Sequence, residues 1–460
     1  MPVKAHQYQK DGVRMMEAFL TSGGGTLLAD DMGLGKTLQT LWLLKRNEQM
    51  LPALVVCPVN VKYTWEHWAQ ETLHTHAQVF EGRTPPIGRI GIVPKIMIIN
   101  PDILISWLNY FRKISIRTLI LDECQYYIDP SSQRTKAAIT LARQTPYRMA
   151  LSGTPLTNRP AELWPTLHML QPDTWPSFFT FGQEYCNPKK EFGRWTYKGA
   201  KNLPKLHGIL KETCMVRRLM EDVRHELPKK VRQIIPMGLA NRNEYDEARD
   251  DFLGWLKKTY DKATTSRAAR AAAVTRVGYL LRLAAKLKAR AVVDWANAFL
   301  TERPDEKLIL IATHHKMIDV LQRRVHAKHV TIDGSVSGRR RALAVSQFSK
   351  DKDTRLLIGN IKAVGTGTDG LQNSCHNLAF TELWWVPGTH TQTEGRIYRI
   401  GQHKVSWVWY LVAFGTIEEA LCQIIQDKQK IIHATLDGED YQSDMDVWDQ
   451  LLEALEKESK

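Results

Sequence analysis

The sequence lacks three features that would place it in other classes of protein. It contains no apolar run of about 18 residues, the length that a membrane-spanning helix requires. Its six cysteines are scattered and none forms a Cys-x-x-Cys pair, which argues against a zinc site and against a disulfide framework. The first residues also lack the basic, apolar and small-residue order of a secretory signal. These absences predict a protein of a reducing, cytoplasmic compartment without a membrane partner.

The charge of the chain is strongly positive and unevenly placed. The 460 residues carry a formal net charge of +14, although residues 436–460 form an acidic tail with a net charge of −7. Residues 254–296 alone hold ten lysines and arginines against two aspartates. Such a balance favours a polyanionic partner, most commonly nucleic acid. A basic surface that serves only solubility is the alternative that charge alone leaves open.

Apolar, β-rich runs alternate with segments of helical character in two blocks of five. This pattern is typical of parallel sheets that are covered on both faces, and it predicts an α/β fold with two parallel-sheet lobes. The predicted domains are a first lobe over 1–165, helical protrusions and a linker over 166–300, a second lobe over 301–430 and an acidic tail over 431–460. The predicted strands lie within 26–30, 53–58, 95–100, 118–123, 148–153, 307–313, 329–334, 355–360, 377–382 and 407–413.

A glycine-rich loop follows the first predicted strand. The residues DDMGLGKT occupy 30–37 and precede a helical run. Glycines let backbone N–H groups approach phosphate oxygens, and the helix N-terminus that follows favours negative charge. Lys36 would reach the β- and γ-phosphates of a nucleotide, and the Thr37 hydroxyl would bind Mg²⁺. Position 30 is aspartate where the usual phosphate-loop pattern has glycine, so a chance glycine-rich turn is the alternative.

A pair of carboxylates ends a later apolar strand. Asp122 and Glu123 come directly after Leu119-Ile120-Leu121. Hydrolysis of a γ-phosphate needs one carboxylate to hold Mg²⁺ and another residue to orient the attacking water. We assign these tasks to Asp122 and Glu123 respectively. On its own the pair would be an ordinary solvated strand end, but beside Lys36 and Thr37 it predicts an ATPase.

The whole set of motifs resembles superfamily-two helicases, and specifically the Swi/Snf-type DNA translocases. Two finer stretches, MVRRLMEDVRHELPKKVR (215–232) and IDGSVSGRRR (332–341), are similar to the HepA-related annealing helicases. The resemblance implies two RecA-like lobes of the P-loop NTPase class, with an ATP cleft between them and helical insertions. The motifs that carry it are Tyr8-Gln9 with Gly12, DDMGLGKT (30–37), VVCPVNVKYTWEHW (55–68), LDECQ (121–125), LSGTPLTN (151–158), VGTGTDGLQ (364–372), ELWWVPG (382–388) and QTEGRIYRIGQ (392–402).

The resemblance also implies roles for individual residues. Arg396 and Arg399 would be arginine fingers, catalytic together with Lys36, Asp122 and Glu123. Mg²⁺ would be held by Thr37 and Asp122. The implied ATP-binding residues are Gln9, Asp31, Met32, Gly33, Leu34, Gly35, Lys36, Thr37 and Gln392. The implied DNA-binding residues are Lys62, Trp65, Thr154, Thr366 and Thr368, and the implied coupling residues are Gln125, Asp369 and Gly370. Gln125 departs from the family, which usually has histidine there.

The expected function is a DNA-dependent ATPase that uses ATP and Mg²⁺ to translocate on double-stranded or branched DNA, which it remodels or reanneals. We expect a monomeric motor in the cytoplasm of a bacterial or phage-infected cell, or in a eukaryotic nucleus. No accessory targeting module is recognisable, so a protein partner would supply targeting. Two alternatives stay open: a strand-separating DNA or RNA helicase of the same superfamily, and a nucleotide-gated DNA clamp without motor activity.

Overall fold

The computed structural model describes residues 5–86, 91–191, 194–223, 228–259, 267–336, 338–366, 368–399 and 401–438. From residue 439 onward, the predicted acidic tail lies outside this range. The described part of the chain contains no helix that is long and apolar enough to span a bilayer.

The strands follow one another along the chain with helices between most of them. They are β1 (Thr26–Leu28), β2 (Ala53–Val56), β3 (Ala77–Val79), β4 (Ile96–Ile99), β5 (Thr118–Asp122), β6 (Tyr147–Leu151), β7 (Lys189–Glu191), β8 (Arg194–Thr196), β9 (Met215–Val216), β10 (Lys230–Met237), β11 (Leu308–Ala312), β12 (His329–Ile332), β13 (Leu356–Asn360), β14 (Asn377–Phe380) and β15 (Ser406–Ala413).

The helices are α1 (Gln7–Thr21), α2 (Lys36–Arg46), α3 (Lys62–Leu73), α4 (Pro101–Phe111), α5 (Gln133–Ala142), α6 (Trp164–Leu170), α7 (Phe178–Tyr185), α8 (Leu203–Thr213), α9 (Met220–Val223), α10 (Arg242–Thr259), α11 (Arg267–Glu302), α12 (His315–Arg324), α13 (Gly338–Lys350), α14 (Ile361–Gly365), α15 (Pro387–Glu394) and α16 (Ile417–Asp437). Short 3₁₀ turns cover Glu48–Met50, Val59–Val61, Cys124–Tyr127, Pro160–Glu162 and Leu371–Asn373.

The chain divides into two compact units. Among the described residues, the first unit takes in 5–188, 197–223 and 430–438, and the second takes in 189–196 and 228–429, apart from the gaps given above. The predicted boundaries at 165, 300 and 430 stay predictions, because a division by compactness does not test a division by function.

The first unit is built on a seven-stranded parallel sheet in the order β3-β4-β2-β5-β6-β1-β9. Its strands are buried on both faces, as their unbroken apolar runs predict. On β2, Leu54 and Val56 pack into one apolar cluster, whereas Ala53 and Val55 pack into the cluster on the opposite face. Side chains alternate between the faces of a strand, so helices must cover both sides of this sheet.

The second unit is built on a six-stranded parallel sheet in the order β10-β15-β14-β11-β13-β12. The same alternation holds here, since Ile309 and Ile311 of β11 face one cluster while Leu308 and Leu310 face the other. The prediction of an α/β fold with two parallel-sheet lobes is confirmed. All ten predicted strands are present, and β3, β9 and β10 are additional members of the two sheets.

Candidate functional site

Three loops of the first unit meet at one edge of its sheet. Strands β5, β6 and β1 are neighbours and run parallel, so the segments that follow their carboxyl ends lie side by side. These segments are the glycine-rich loop before α2, the pair Asp122-Glu123, and Ser152-Gly153-Thr154. Ligand sites of open α/β sheets form at this edge. The topology therefore brings together three motifs that are far apart in sequence.

The glycine-rich loop needs its glycines for conformational reasons. Gly33 and Gly35 have φ values of 85° and 79°, a region that side chains with a Cβ rarely adopt. A Cβ on Gly35 would also lie 2.5 Å from Nε2 of Gln9. Gly35 is the N-cap of α2 and no side chain caps this helix end. The first backbone N–H groups of α2 consequently stay available to an anion, which is the property a phosphate-binding loop requires.

The Lys36 ammonium lies inside this loop. Nζ donates hydrogen bonds to the backbone carbonyl of Asp30 at 2.7 Å and to that of Asp31 at 3.2 Å. Burial lowers the pKa of Lys36, and the carboxylate of Glu123 and other nearby acids oppose this shift. A lysine ammonium that is held by carbonyl oxygens near the N-terminus of a helix can exchange those oxygens for the phosphate oxygens of a nucleotide.

Asp30, which departs from the usual loop pattern, has a structural explanation. Its side chain is fully buried and pairs with Arg218, whose Nε donates to Oδ1 at 2.9 Å and whose Nη2 donates to Oδ2. Gln39 of α2 completes the group, because its Nε2 donates to Asp30 Oδ2 at 3.0 Å and its Oε1 accepts from Arg218. This buried ion pair fixes the first residue of the loop to the segment that follows β9 and to α2. Sequence reasoning missed Arg218, although the Arg-Arg pair at 217–218 was a usable signal.

Arg217 supports the same loop from another side. Its Nη1 donates to the carbonyl of Ala29 at 2.8 Å and lies 3.6 Å from a carboxylate oxygen of Asp31. Its Nε and Nη2 donate to the carboxylate of Asp437, at the end of α16. Two consecutive arginines thus hold the loop through charged hydrogen bonds, which are stronger than neutral ones.

Gln9, the predicted adenine-reading residue, contacts the loop directly. It is buried, its Nε2 donates to the Leu34 carbonyl at 3.1 Å, and its Oε1 accepts from the His6 backbone at 2.9 Å. The amide would have to exchange these partners to reach an adenine. Its role in base recognition stays a prediction.

The two acidic residues after β5 form a compact carboxylate pair. Asp122 Oδ1 accepts from the Glu123 backbone at 3.1 Å, and Glu123 has a left-handed φ of 54°. Burial, followed by the charge of Glu123, raises the pKa of Asp122 to about 7. A desolvated carboxylate beside a second carboxylate is electrostatically suited to a cation, and oxygen ligands are those that Mg²⁺ prefers. The residues present therefore fit a Mg²⁺ ion.

A chain of hydrogen bonds leads from Glu123 to the motif after β6. Gln125 Nε2 donates to Glu123 Oε2 at 2.7 Å, and Gln125 Oε1 accepts from the Ser152 hydroxyl at 2.6 Å. The Ser152 oxygen in turn accepts from the Thr154 backbone at 2.9 Å. The amide that replaces the usual histidine can both donate and accept, so it connects an acceptor-only carboxylate with a hydroxyl donor. The predicted coupling role of Gln125 is compatible with this geometry.

Replacing Gln125 by alanine should lower ATP turnover about tenfold or more, because a hydrogen bond to a charged group is worth roughly 1.5–3 kcal/mol. The loss should be larger in the presence of DNA than in its absence, since the chain to Thr154 is broken. Steady-state ATPase assays with and without DNA measure both. Gln133→Ala, at an exposed position on α5, is the matched control. Equal losses with and without DNA would contradict the coupling role.

The predicted DNA-binding residues of the first unit are buried in the structure. Lys62 is 3% exposed, and its Nζ pairs with Glu81 at 3.1 Å. Trp65 is 1% exposed, and its indole nitrogen donates to Asp122. Residues three apart share one face of a helix, and this face of α3 is turned into the core. Both side chains are therefore internal in this structure, and their contact with DNA stays a prediction. Thr154 is also buried.

The second unit places the remaining predicted residues around the segment after β13. Thr366 is partly exposed, and its hydroxyl donates to the Lys362 carbonyl at 2.7 Å. The Thr368 hydroxyl is buried and donates to the Val364 carbonyl at 2.5 Å, so it does not offer a hydrogen bond to DNA in this structure. Gly370 has a φ of 96° and begins the 3₁₀ turn Leu371–Asn373, a position that favours glycine.

The two predicted arginine fingers converge on Asp369. Nη1 of Arg396 and Nη1 of Arg399 donate to the same carboxylate oxygen, at 3.1 and 2.5 Å. Arg396 also donates to the backbone carbonyls of Gly365 and Thr368. Gln392 lies just before them on α15 and is largely buried. The structure thus unites Arg396, Arg399 and Asp369, which sequence reasoning had assigned to two separate roles.

Glu394 is a further residue of this group that sequence reasoning missed. It is 1% exposed and accepts hydrogen bonds from Lys230 and Arg232 of β10 and from the Tyr410 hydroxyl at 2.7 Å. Burial raises the pKa of Glu394, but Lys230 and Arg232 outweigh it and hold the pKa below its usual value. The ionised carboxylate anchors the end of α15, two residues before Arg396.

Two known protein families match this chain. The SNF2-related domain matches residues 8–284, and the helicase conserved C-terminal domain matches residues 290–401. The chain belongs to the SNF2 family. The predicted resemblance is confirmed, and so is the prediction of an enzyme, since members of this helicase family are ATP-dependent enzymes.

Several characterised relatives are longer than this chain. The DNA annealing helicase and endonuclease ZRANB3 of Bos taurus is 30% identical over 464 residues, which cover 96% of this chain and 42% of that protein. The SWI/SNF-related matrix-associated actin-dependent regulator of chromatin subfamily A-like protein 1 of Xenopus tropicalis is 30% identical over 439 residues, covering 92% and 44%. The chain spans less than half the length of these relatives.

A solved structure to which this chain is similar is the Sulfolobus solfataricus SWI2/SNF2 ATPase core in complex with dsDNA. It is 22% identical to this SNF2-family chain, with a TM-score of 0.46 and coverage of 99% of this chain and 97% of that one.

Proposed function

We propose that this SNF2-family protein is a DNA-dependent ATPase that translocates on double-stranded or branched DNA and remodels or reanneals it. The observation that carries the proposal is the meeting of Lys36, Asp122-Glu123 and the Gln125-Ser152-Thr154 chain at one sheet edge. This arrangement joins a phosphate cradle, a cation-binding carboxylate pair and a hydrogen-bonded route leading away from them. A motor requires all three, because the state of the nucleotide must be transmitted to another surface.

The residues of the first unit divide the chemistry of hydrolysis among them. The N–H groups of the glycine-rich loop and the Lys36 ammonium would hold the phosphates of ATP. Thr37 and Asp122 would hold Mg²⁺, which neutralises charge on the phosphates. Glu123 would orient the attacking water through its carboxylate. Catalysis would rest on the positioning of the reacting groups and on electrostatic stabilisation, and no side chain would form a covalent intermediate.

Charge on the second unit supports DNA as the partner. Arg282, Lys286 and Arg290 are exposed on α11, and their spacing of four residues places them on one face of the helix. A row of cations at helical spacing suits a phosphate backbone, and contacts to phosphates carry no sequence information. The reannealing activity is proposed by analogy with relatives that are named DNA annealing helicases.

The proposal predicts which nucleic acid stimulates ATP turnover. Duplex or forked DNA should stimulate most, single-stranded DNA less and RNA least, in ATPase assays performed side by side. Binding should show little sequence preference and should weaken about a thousandfold between roughly 50 and 200 mM salt. The protein should displace a triplex strand or rewind a bubble, and should leave a tailed duplex intact.

Two outcomes of these assays would favour the alternatives. Robust unwinding of a tailed duplex, or strongest stimulation by RNA, would indicate a strand-separating helicase. ATP-gated DNA binding without turnover would indicate a clamp. The proposal also includes a protein partner for targeting, a monomeric state and a cytoplasmic or nuclear location.

A further inference from the structure

Trp65 is a buried side chain that makes a polar contact. It lies on α3, its ring packs in the apolar cluster that contains Val55, Cys57 and Ala69, and it is 1% exposed. Its Nε1–H donates to Asp122 Oδ2 at 2.7 Å. The apolar packing of the ring does not use the indole nitrogen. The hydrogen bond to Asp122 does, and phenylalanine could not make it.

The hydrogen bond restrains the orientation of the Asp122 carboxylate. Oδ2 accepts from Trp65, and Oδ1 accepts from the Glu123 backbone at 3.1 Å. The indole N–H is only a donor, and the closely packed ring cannot turn to follow a moving acceptor. Each carboxylate oxygen therefore has one fixed donor and keeps lone pairs for another ligand. The core of the first unit, through α3, determines how Asp122 faces its site.

We infer that Trp65 is a positioning residue for the carboxylate that binds Mg²⁺. The inference rests on the proposed function, in which Asp122 is a Mg²⁺ ligand. Hydrogen-bond partners of metal-binding carboxylates commonly change metal affinity about 10–100-fold when they are removed. Loss of the Trp65 N–H should consequently weaken the response to Mg²⁺, while the loop before α2 continues to bind the nucleotide itself.

Three variants separate this role from a purely structural one. Trp65→Phe keeps an aromatic ring in the core and removes the donor. Trp68→Phe is the matched control, since Trp68 lies one turn further along α3 and packs against the same cluster. Asp122→Asn is the reference for a damaged Mg²⁺ ligand. Thermal unfolding and the affinity for ADP without Mg²⁺ report whether each variant is folded.

The measurement is binding of a fluorescent, non-hydrolysable ATP analogue while the Mg²⁺ concentration is varied. We expect Trp65→Phe to need about tenfold more Mg²⁺ for half-maximal enhancement of binding, with its Mg²⁺-free ADP affinity unchanged. Trp68→Phe should resemble the wild type. A wild-type Mg²⁺ response in folded Trp65→Phe, beside an impaired Asp122→Asn, would overturn the inference and leave the proposed function standing.

Two other results are informative. A wild-type Mg²⁺ response in Asp122→Asn would overturn the metal role of Asp122 and this inference with it, and failure of the wild type to bind nucleotide would overturn the proposed function. If Trp65→Phe does not fold, ¹⁵N-labelled indole resonances of the wild type provide the test. The Trp65 resonance should shift when Mg²⁺ is added to the nucleotide complex and the Trp68 resonance should not; a Trp65 resonance that stays in place would overturn the inference.

Discussion

Replacing Lys36 by alanine should abolish ATP turnover and leave DNA binding largely intact. The Lys36 ammonium is the cation that the loop holds at the N-terminus of α2, where its Nζ donates hydrogen bonds to the carbonyls of Asp30 and Asp31. Without it, the phosphates lose the charge that would compensate them, and hydrolysis should fall by about a hundredfold or more. The proposed DNA-binding cations of α11 belong to the other compact unit. The Lys36→Ala substitution removes none of them, so DNA binding should be retained.

Steady-state ATPase assays and DNA titrations measure the two effects. Lys45→Ala is the matched control, because Lys45 lies on the same helix and is exposed. Glu123→Gln is the companion variant: it should bind ATP and fail to hydrolyse it. Hydrolysis above a few per cent of the wild-type rate in Lys36→Ala would contradict the phosphate-loop assignment.

The sheets were predictable from the sequence because their signal is local. Strands such as β2 and β11 are short, wholly apolar and buried on both faces, so each is visible in four or five residues. Strand β10 was missed since it carries charged residues, Lys230 and Arg232, whose partner Glu394 lies 164 and 162 residues further along the chain. Strand β9 was missed because two residues, Met215 and Val216, are too few to form a pattern.

The candidate site was predictable only in part, for a similar reason. Motifs identify the groups that would touch the nucleotide, such as Lys36 and Glu123, because the chemistry restricts them to certain residue types. The groups that hold those residues are paired across the fold. Arg218 and Asp30 are 188 residues apart, and no periodicity in the sequence relates them.

Trp65 is a residue whose contacts its sequence motif does not specify. Its motif implied a DNA-binding residue, and its burial could not be known before the buried face of the helix was known. In the structure the face of α3 that carries Trp65 packs into the core, where its indole N–H donates to Asp122, and its contact with DNA stays a prediction. The motif located the right helix, and the fold decided what its side chains contact.

Alanine at Arg399 or at Arg396 should lower the turnover number on DNA by about a thousandfold or more, the usual contribution of an arginine finger. ATP affinity should fall far less, since a finger acts on charge that develops in the transition state. In this structure both guanidiniums are engaged by Asp369, at 3.1 and 2.5 Å. Finger function therefore requires them to exchange a carboxylate for the γ-phosphate, two acceptors of similar chemistry.

The two variants are not equally clean tests of this idea. Arg396 also donates to the carbonyls of Gly365 and Thr368, so its removal perturbs the segment after α14 as well as the charge. Arg399→Ala disturbs less of this structure, and it is the deciding variant. Arg324→Ala, at an exposed position of α12, is the control. Near-normal DNA-stimulated turnover in Arg399→Ala, measured at saturating ATP, would show that Arg399 serves only to pair with Asp369. A thousandfold loss with little change in ATP affinity would place its charge in the transition state.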